Sequence, residues 1–225
     1  MSFLDKKQLE LLLSKVPRAP RPRRELEQYE TPADVASHVL WTAYMSGDVA
    51  GKDVVEPACG RGKFALGALA LGASRVVCID IDEDMVRSAA DVCLSLLDPS
   101  ACSRALFVVA DAISLLLREH DTAIMNPPFG VVKGSRGLDL AMLSTYLAQA
   151  KSVYTLHKAS EHFMEALLRK AAGIEAFVVE RVEKLRFAIP MMFESHRRKV
   201  YRFDVLFLVL RRKDVGEKGL RYPGR

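Results

Sequence analysis

From residue 51 onward, the apolar positions switch repeatedly between a period of two and a helical period. Short β-branched runs at 53–57 (D-V-V-E-P) and 75–80 (R-V-V-C-I-D) flank an alanine-rich segment at about 62–71 with helical spacing. Runs at 105–110 (A-L-F-V-V-A) and 122–126 (T-A-I-M-N) predict two more strands, with helices near 83–97 and 138–150. The run S-V-Y-T-L-H at 152–157 predicts a fifth strand, and a helix near 159–172 meets Gly173 as its stop. Two longer runs, at about 174–188 and 200–211, leave no room for a helix between them and read as an antiparallel pair. Such alternation predicts an α/β fold, a mostly parallel sheet with helices on both faces, whose ligands bind beyond the carboxyl ends of the strands.

The first 50 residues follow a different pattern. Phe3, Leu9, Leu12, Leu13 and Val16 predict an amphipathic helix over 3–16, which runs into an extended Pro/Arg stretch, P-R-A-P-R-P-R-R-E. Thr31-Pro32 predicts a helix start with the threonine hydroxyl as N-cap, and Val35, Val39 and Leu40 on one face. We therefore divide the chain into an N-terminal helical extension with a basic lead-in (1–50), a main domain (51–213) and a basic tail expected to be disordered (214–225).

Composition narrows the class. The 225 residues are 50% hydrophobic and 27% charged, a globular balance. The longest apolar run, V-L-F-L-V-L at 205–210, is far short of the ~18 residues of a membrane span. Lys6, Lys7 and Glu10 interrupt the start, unlike a secretory signal. The expected location is intracellular: nucleus, nucleolus or cytoplasm in a eukaryote. Cys59, Cys78, Cys93 and Cys102 form no C-x-x-C pair and have no histidine at ligand spacing. We read them as buried free thiols, with no metal site and no disulfide framework. The net charge of +5 is concentrated in blocks at Arg18–Arg24, at 196–199 and at Arg211–Lys213, which suits a polyanionic partner.

Four strand ends carry candidate chemistry. The first strand ends in E-P-A-C-G-R-G, where Gly60 and Gly62 let the backbone approach a ligand. Glu56 there would repel a pyrophosphate and attract a cation. Asp80, at the second strand end, lies at the distance that suits ribose hydroxyls, while Asp82, Glu83 and Asp84 read as caps of the next helix. Asp111, at the third, could meet an adenine amino group or N-cap a following helix. A nucleoside flanked by carboxylates and lacking a phosphate site describes S-adenosylmethionine, with Glu56 at the sulfonium and amino-acid end.

The fourth strand delivers Asn126-Pro127-Pro128-Phe129 to the same edge. The Asn126 side-chain carbonyl and the Pro127 main-chain carbonyl can accept both hydrogens of an aromatic amine, localising its lone pair. The prolines stiffen the turn so that these acceptors are fixed in advance, and Phe129 can stack on the target base.

These words resemble the class I S-adenosylmethionine-dependent methyltransferases with an N-P-P-[FY] motif. Over most of 5–210, L-E-Q-Y-E-T-P (26–32), I-D-I-D-E-D (79–84), I-M-N-P-P-F-G (124–130), Y-T-L-H-K (154–158) and S-H-R-R-K (195–199) resemble the methyltransferase-like protein 5 family of ribosomal RNA adenine methyltransferases. The resemblance implies a Rossmann-like seven-stranded sheet, mostly parallel, with an antiparallel last strand. It implies cofactor contacts from Gln28, Thr31, Ala58, Asp80, Asp111 and Ala112, chemistry at Asn126 to Phe129, and a substrate of small-subunit (18S-type) ribosomal RNA. It also implies a heterodimer with a small zinc-binding (Trm112-like) activator, for which the strand near 105–110 is the natural edge. Lys158, His196, Arg197, Arg198 and Lys199 are expected to engage RNA. The family's D-x-G-C-G opening stands here as E-P-A-C-G. Other substrates open to such a motif are DNA adenine and a release-factor glutamine, and a chain that kept the fold could be a non-catalytic RNA-binding subunit.

Overall fold

The computed structural model describes residues 4–19, 22–160, 163–171, 173–190 and 200–213. Helix α1 spans Lys6–Ser14, where Asp5 and Gln8 form a reciprocal capping box and Leu9 and Leu13 face inward. Helix α2 (Ala33–Met45) buries Val35, Val39 and Leu40. Alternation follows as β1 (Asp53–Pro57), α3 (Lys63–Ala70), β2 (Arg75–Asp80), α4 (Glu83–Leu96), a short α5 (Pro99–Cys102) and β3 (Ala105–Val109). Then come β4 (His120–Met125), α6 (Leu138–Gln149), β5 (Ala150–Lys158), α7 (Phe163–Lys170), β6 (Phe177–Pro190) and β7 (Val200–Arg212).

The strands form one seven-stranded sheet in the order β3-β2-β1-β4-β5-β7-β6. Strands β1 to β5 pair in parallel, and β7 runs antiparallel to both β5 and β6, as the pattern predicts. A register shift between Val179 and Arg181 bends the long β6–β7 ribbon. One core layer packs α1, α2 and α3 against Ile124, Tyr154 and Phe207; the other packs α6 and α7 against Val55, Met125 and Leu208. The order reverses between β1 and β4, so a crevice opens beyond their carboxyl ends. At the opposite end of the sheet, Asp48 accepts hydrogen bonds from Tyr154 Oη (2.6 Å) and from Arg211 Nη2 (2.8 Å).

Several expectations need correction. The four cysteines are buried, but they are not free thiols: Cys59 pairs with Cys78 and Cys93 with Cys102. The parallel β1 and β2 bring the Cα atoms of Cys59 and Cys78 within 5.7 Å, and the fold of α5 back onto α4 does the same for the second pair at 5.9 Å. Neither proximity is visible in sequence spacing. Thr31 does not cap α2; the N-cap is Pro32, without a side-chain bond. The α7 helix is shorter than the predicted 159–172. Phe3, the S-H-R-R-K segment and the tail from 214 lie outside the described residues.

Candidate active site

The turn after β1 is shaped by three left-handed residues: Ala58 (φ 51°), Gly60 (φ 52°) and Gly62 (φ 71°). A Cβ on Gly62 would come within 3.1 Å of Ala89 Cβ, so close packing on α4 demands glycine there. Ala58 holds the same backbone region with a Cβ, at a cost of about 1–2 kcal/mol, which explains a glycine in the related D-x-G-C-G pattern.

Two buried acids hold this turn. Asp80 accepts from Gly60 N (2.7 Å) through Oδ2 and from Asp82 N (2.9 Å) through Oδ1. Burial raises its pKa, against the pull of those amides. Glu56 accepts from Phe64 N (3.1 Å) and Ala65 N (2.6 Å), the free amides at the start of α3. The side chain expected to face a cation therefore also closes a helix end, and burial pushes its pKa up to about 8.

Asp82 caps α4, as expected of it, by accepting from Asp84 N. It also accepts from Gln28 Nε2 (2.8 Å), while Gln28 Oε1 accepts from Arg23 N (2.6 Å). Gln28 borders the site with both ends of its amide engaged by protein. Asp111 is exposed and accepts from Ile113 N and Ser114 Oγ, both at 2.9 Å, while Ala112 is buried beside it. β4, not a helix, follows β3, so Asp111 closes a turn instead of capping the helix expected there.

These groups line a mainly apolar cleft of ≈ 270 Å³, with Gln28, Thr31, Glu56, Ala58, Gly60, Asp80, Asp111 and Ala112 on its walls together with Asn126 and Pro128. Asn126 Nδ2 donates to Thr31 Oγ1 (3.1 Å), and the Thr31 carbonyl accepts from the half-buried Lys63 Nζ (2.7 Å). The threonine hydroxyl that fails to cap α2 is used here. Asn126 Oδ1 is buried and, among the described residues, has no hydrogen-bond partner. Burial without a partner costs about 1–3 kcal/mol, so this oxygen is an acceptor awaiting a donor.

Phe129 packs edge-on against Phe187 (6.1 Å between centroids) and Phe203 (5.9 Å), leaving it only partly exposed. Lys158 is exposed at the end of β5, on the same edge of the sheet as Asn126. His196, Arg197, Arg198 and Lys199 lie outside the described residues. His157, fully buried, meets Thr155 Oγ1 (2.9 Å) and stacks near Phe163; burial lowers its pKa, in keeping with a structural histidine.

One participant escapes the sequence pattern. Glu27 is 6% exposed and left-handed (φ 49°), and its carboxylate accepts from Phe129 N and Val132 N, both at 2.7 Å, and from Ser135 Oγ. Its place inside L-E-Q-Y-E-T-P was the only available signal, because neither helical nor strand periodicity marks an acid in a loop.

No family model matches the chain. It is 32% identical over 209 residues to the rRNA N(6)-adenosine-methyltransferase METTL5 of Danio rerio, covering 90% of this chain and 96% of that protein. With the Drosophila melanogaster rRNA N(6)-adenosine-methyltransferase Mettl5 it shares 31% identity over 219 residues, covering 92% and 96%. Among solved structures, a Pyrococcus horikoshii protein described as a candidate RNA methyltransferase superposes with a TM-score of 0.78 at 31% identity, covering 92% of this chain and 97% of that one. With these relatives spanning nearly their full lengths, the chain belongs to the METTL5 family of rRNA N6-adenosine methyltransferases.

Proposed function

We propose that the protein transfers a methyl group from S-adenosylmethionine to the N6 amine of an adenosine in ribosomal RNA, of the small-subunit (18S) type. The single observation that carries this reading is the buried Oδ1 of Asn126, a cleft-lining residue, unpartnered among the described residues. An orphaned acceptor beside an apolar, carboxylate-edged cleft suits a nucleoside cofactor that brings a reactive carbon next to an aromatic amine.

The residues fit that cofactor. Asp80 would take the ribose, Asp111 and Ala112 the adenine, and Gly60 and Ala58 the close backbone approach, with Glu56 below the amino-acid end and Gln28 and Thr31 along the opposite wall. When bound, S-adenosylmethionine supplies an electrophilic methyl group on a sulfonium.

Asn126 Oδ1 accepts one hydrogen of the target amine, and the Pro127 carbonyl accepts the second. Both bonds draw the nitrogen lone pair out of conjugation and aim it. The cofactor would give up its methyl and leave as a neutral thioether, and the amine nitrogen held by Asn126 and Pro127 would shed its proton to water. No base has to act first, because the attacking lone pair is already present on the neutral amine. Phe129, wedged between Phe187 and Phe203, offers an edge-supported ring to the extruded base rather than a freely moving one.

The RNA reading is supported by the exposed Lys158 at the carboxyl end of β5 and by the basic sequence at 196–199. For the activator, a Trm112-like zinc protein docking on β3, the support is that β3 is a sheet edge with Leu106 (56%) and Val109 (51%) exposed. A nuclear, nucleolar or cytoplasmic site of action accords with this; among the described residues no helix is long and apolar enough to cross a membrane.

The test is methylation of ribosomal RNA by the purified protein, co-expressed with its activator, followed by nucleoside mass spectrometry. N6-methyladenosine should form with wild type and fall below detection with Asn126→Ala, while S-adenosylhomocysteine binding persists. Near-normal turnover by Asn126→Ala would sink the mechanism.

A further inference from the structure

Pro127 and Pro128 have no N–H, so the first main-chain donor after Asn126 is Phe129 N. That donor is taken by Glu27 Oε2, and the other carboxylate oxygen takes Val132 N and Ser135 Oγ. One side chain, 102 residues away in sequence, thus gathers both sides of the turn that follows the catalytic motif.

We propose that Glu27 is the positioning residue of the methyl transfer: its carboxylate holds the Phe129–Ser135 loop in one conformation and so fixes the main chain from which Asn126 Oδ1 meets the amine. Two features set it apart from an ordinary structural contact. A non-glycine residue in the left-handed region and a buried carboxylate each carry an energetic cost, and such features persist where the surroundings over-determine them. Its neighbours Gln28 and Thr31 reach Asp82 and Asn126 respectively, so a single short segment spans the cleft and places Glu27 against the loop. Glu27 touches neither reacting atom; it acts through the main chain of Phe129 and Val132.

This inference rests on the methyltransferase reading for its kinetic arm but not for its exchange arm, so the two fail separately. Glu27→Gln keeps one acceptor oxygen and sets an NH₂ donor against donors of the loop. The expected result is a fall in kcat of about 100-fold, the scale of a 1 Å misplacement, with S-adenosylhomocysteine affinity within about threefold of wild type. In the ligand-free protein, hydrogen exchange at Phe129 and Val132 should accelerate at least about tenfold while core strands keep their protection. Ser135→Ala, which removes only one donor, should lower kcat several-fold with unchanged affinity and so reads the same device if Glu27→Gln fails to fold. A Glu27→Gln kcat within threefold of wild type, a loss of cofactor affinity equal to the loss of kcat, or unchanged exchange at both amides overturns the proposal. A wild type that binds the cofactor but leaves RNA unmethylated overturns the methyltransferase reading alone, and the exchange result then decides for Glu27.

Discussion

Asn126 Nδ2 is tied to Thr31 Oγ1 at 3.1 Å, and this bond fixes the orientation of the amide. With the nitrogen engaged, the carbonyl oxygen is the end presented to an incoming amine. Thr31→Val keeps the shape but removes the acceptor. A hydrogen bond is worth about 0.5–1.5 kcal/mol, so single-turnover methylation should slow by about tenfold, and Thr31→Ser should restore most of the rate. An unchanged Thr31→Val rate would mean that the amide needs no such anchor.

The left-handed Ala58 predicts a gain of stability on substitution. Ala58→Gly should relieve about 1 kcal/mol of backbone strain and raise Tm by about 2–4 °C in thermal denaturation. A lower Tm would show that the alanine methyl packs well enough to outweigh its conformation.

Glu56 makes stability depend on pH in a stated direction. Its folded pKa, raised from 4.5 to about 8 by burial, means that between those values the folded chain binds a proton the unfolded chain has released. The stabilisation is therefore fully present below 4.5 and is lost as pH rises toward 8. Wild-type Tm should fall across that window, by about 2–4 °C for each kcal/mol lost, and Glu56→Gln should flatten the fall. Identical slopes for the two proteins would refute the assignment.

Arg211 and Asp48 offer a control far from the chemistry. Arg211→Met leaves a buried Asp48 with Tyr154 as its remaining side-chain partner among the described residues and should cost about 1–3 kcal/mol, discounted for the partial exposure of Arg211. Denaturant unfolding should move while kcat at a permissive temperature stays put. A comparable loss in kcat would tie this end of the sheet to the site.

Much of the fold was readable because the strands are short, β-branched and separated by helices with unambiguous periodicity. D-V-V-E-P and R-V-V-C-I-D match their strands residue for residue. The antiparallel ribbon was legible for a simpler reason: too few residues separate its two runs to form a crossover. That Asp80 and Asn126 border one cleft was legible because the strand ends that carry them converge. The cysteine pairings were not, since they depend on how β1 lies beside β2 and how α5 folds back on α4. Thr31 was assigned to the wrong task because a Thr-Pro pair signals a cap locally, and only the tertiary approach of Asn126 offers the hydroxyl a better use. Glu27 lay in an irregular segment, where the partners of a side chain come from another part of the chain and no local pattern encodes them.

The Glu27–Phe129 link also bears on the order of assembly. Its two ends are separated by β1, β2, β3 and β4, so closing it requires most of the parallel sheet to be in place and carries the entropy of a long loop. The sheet can form without it, whereas it cannot form without the sheet. Competence for methyl transfer is thus expected to appear as a late, separate event in folding, and to be the first property lost when the chain loosens.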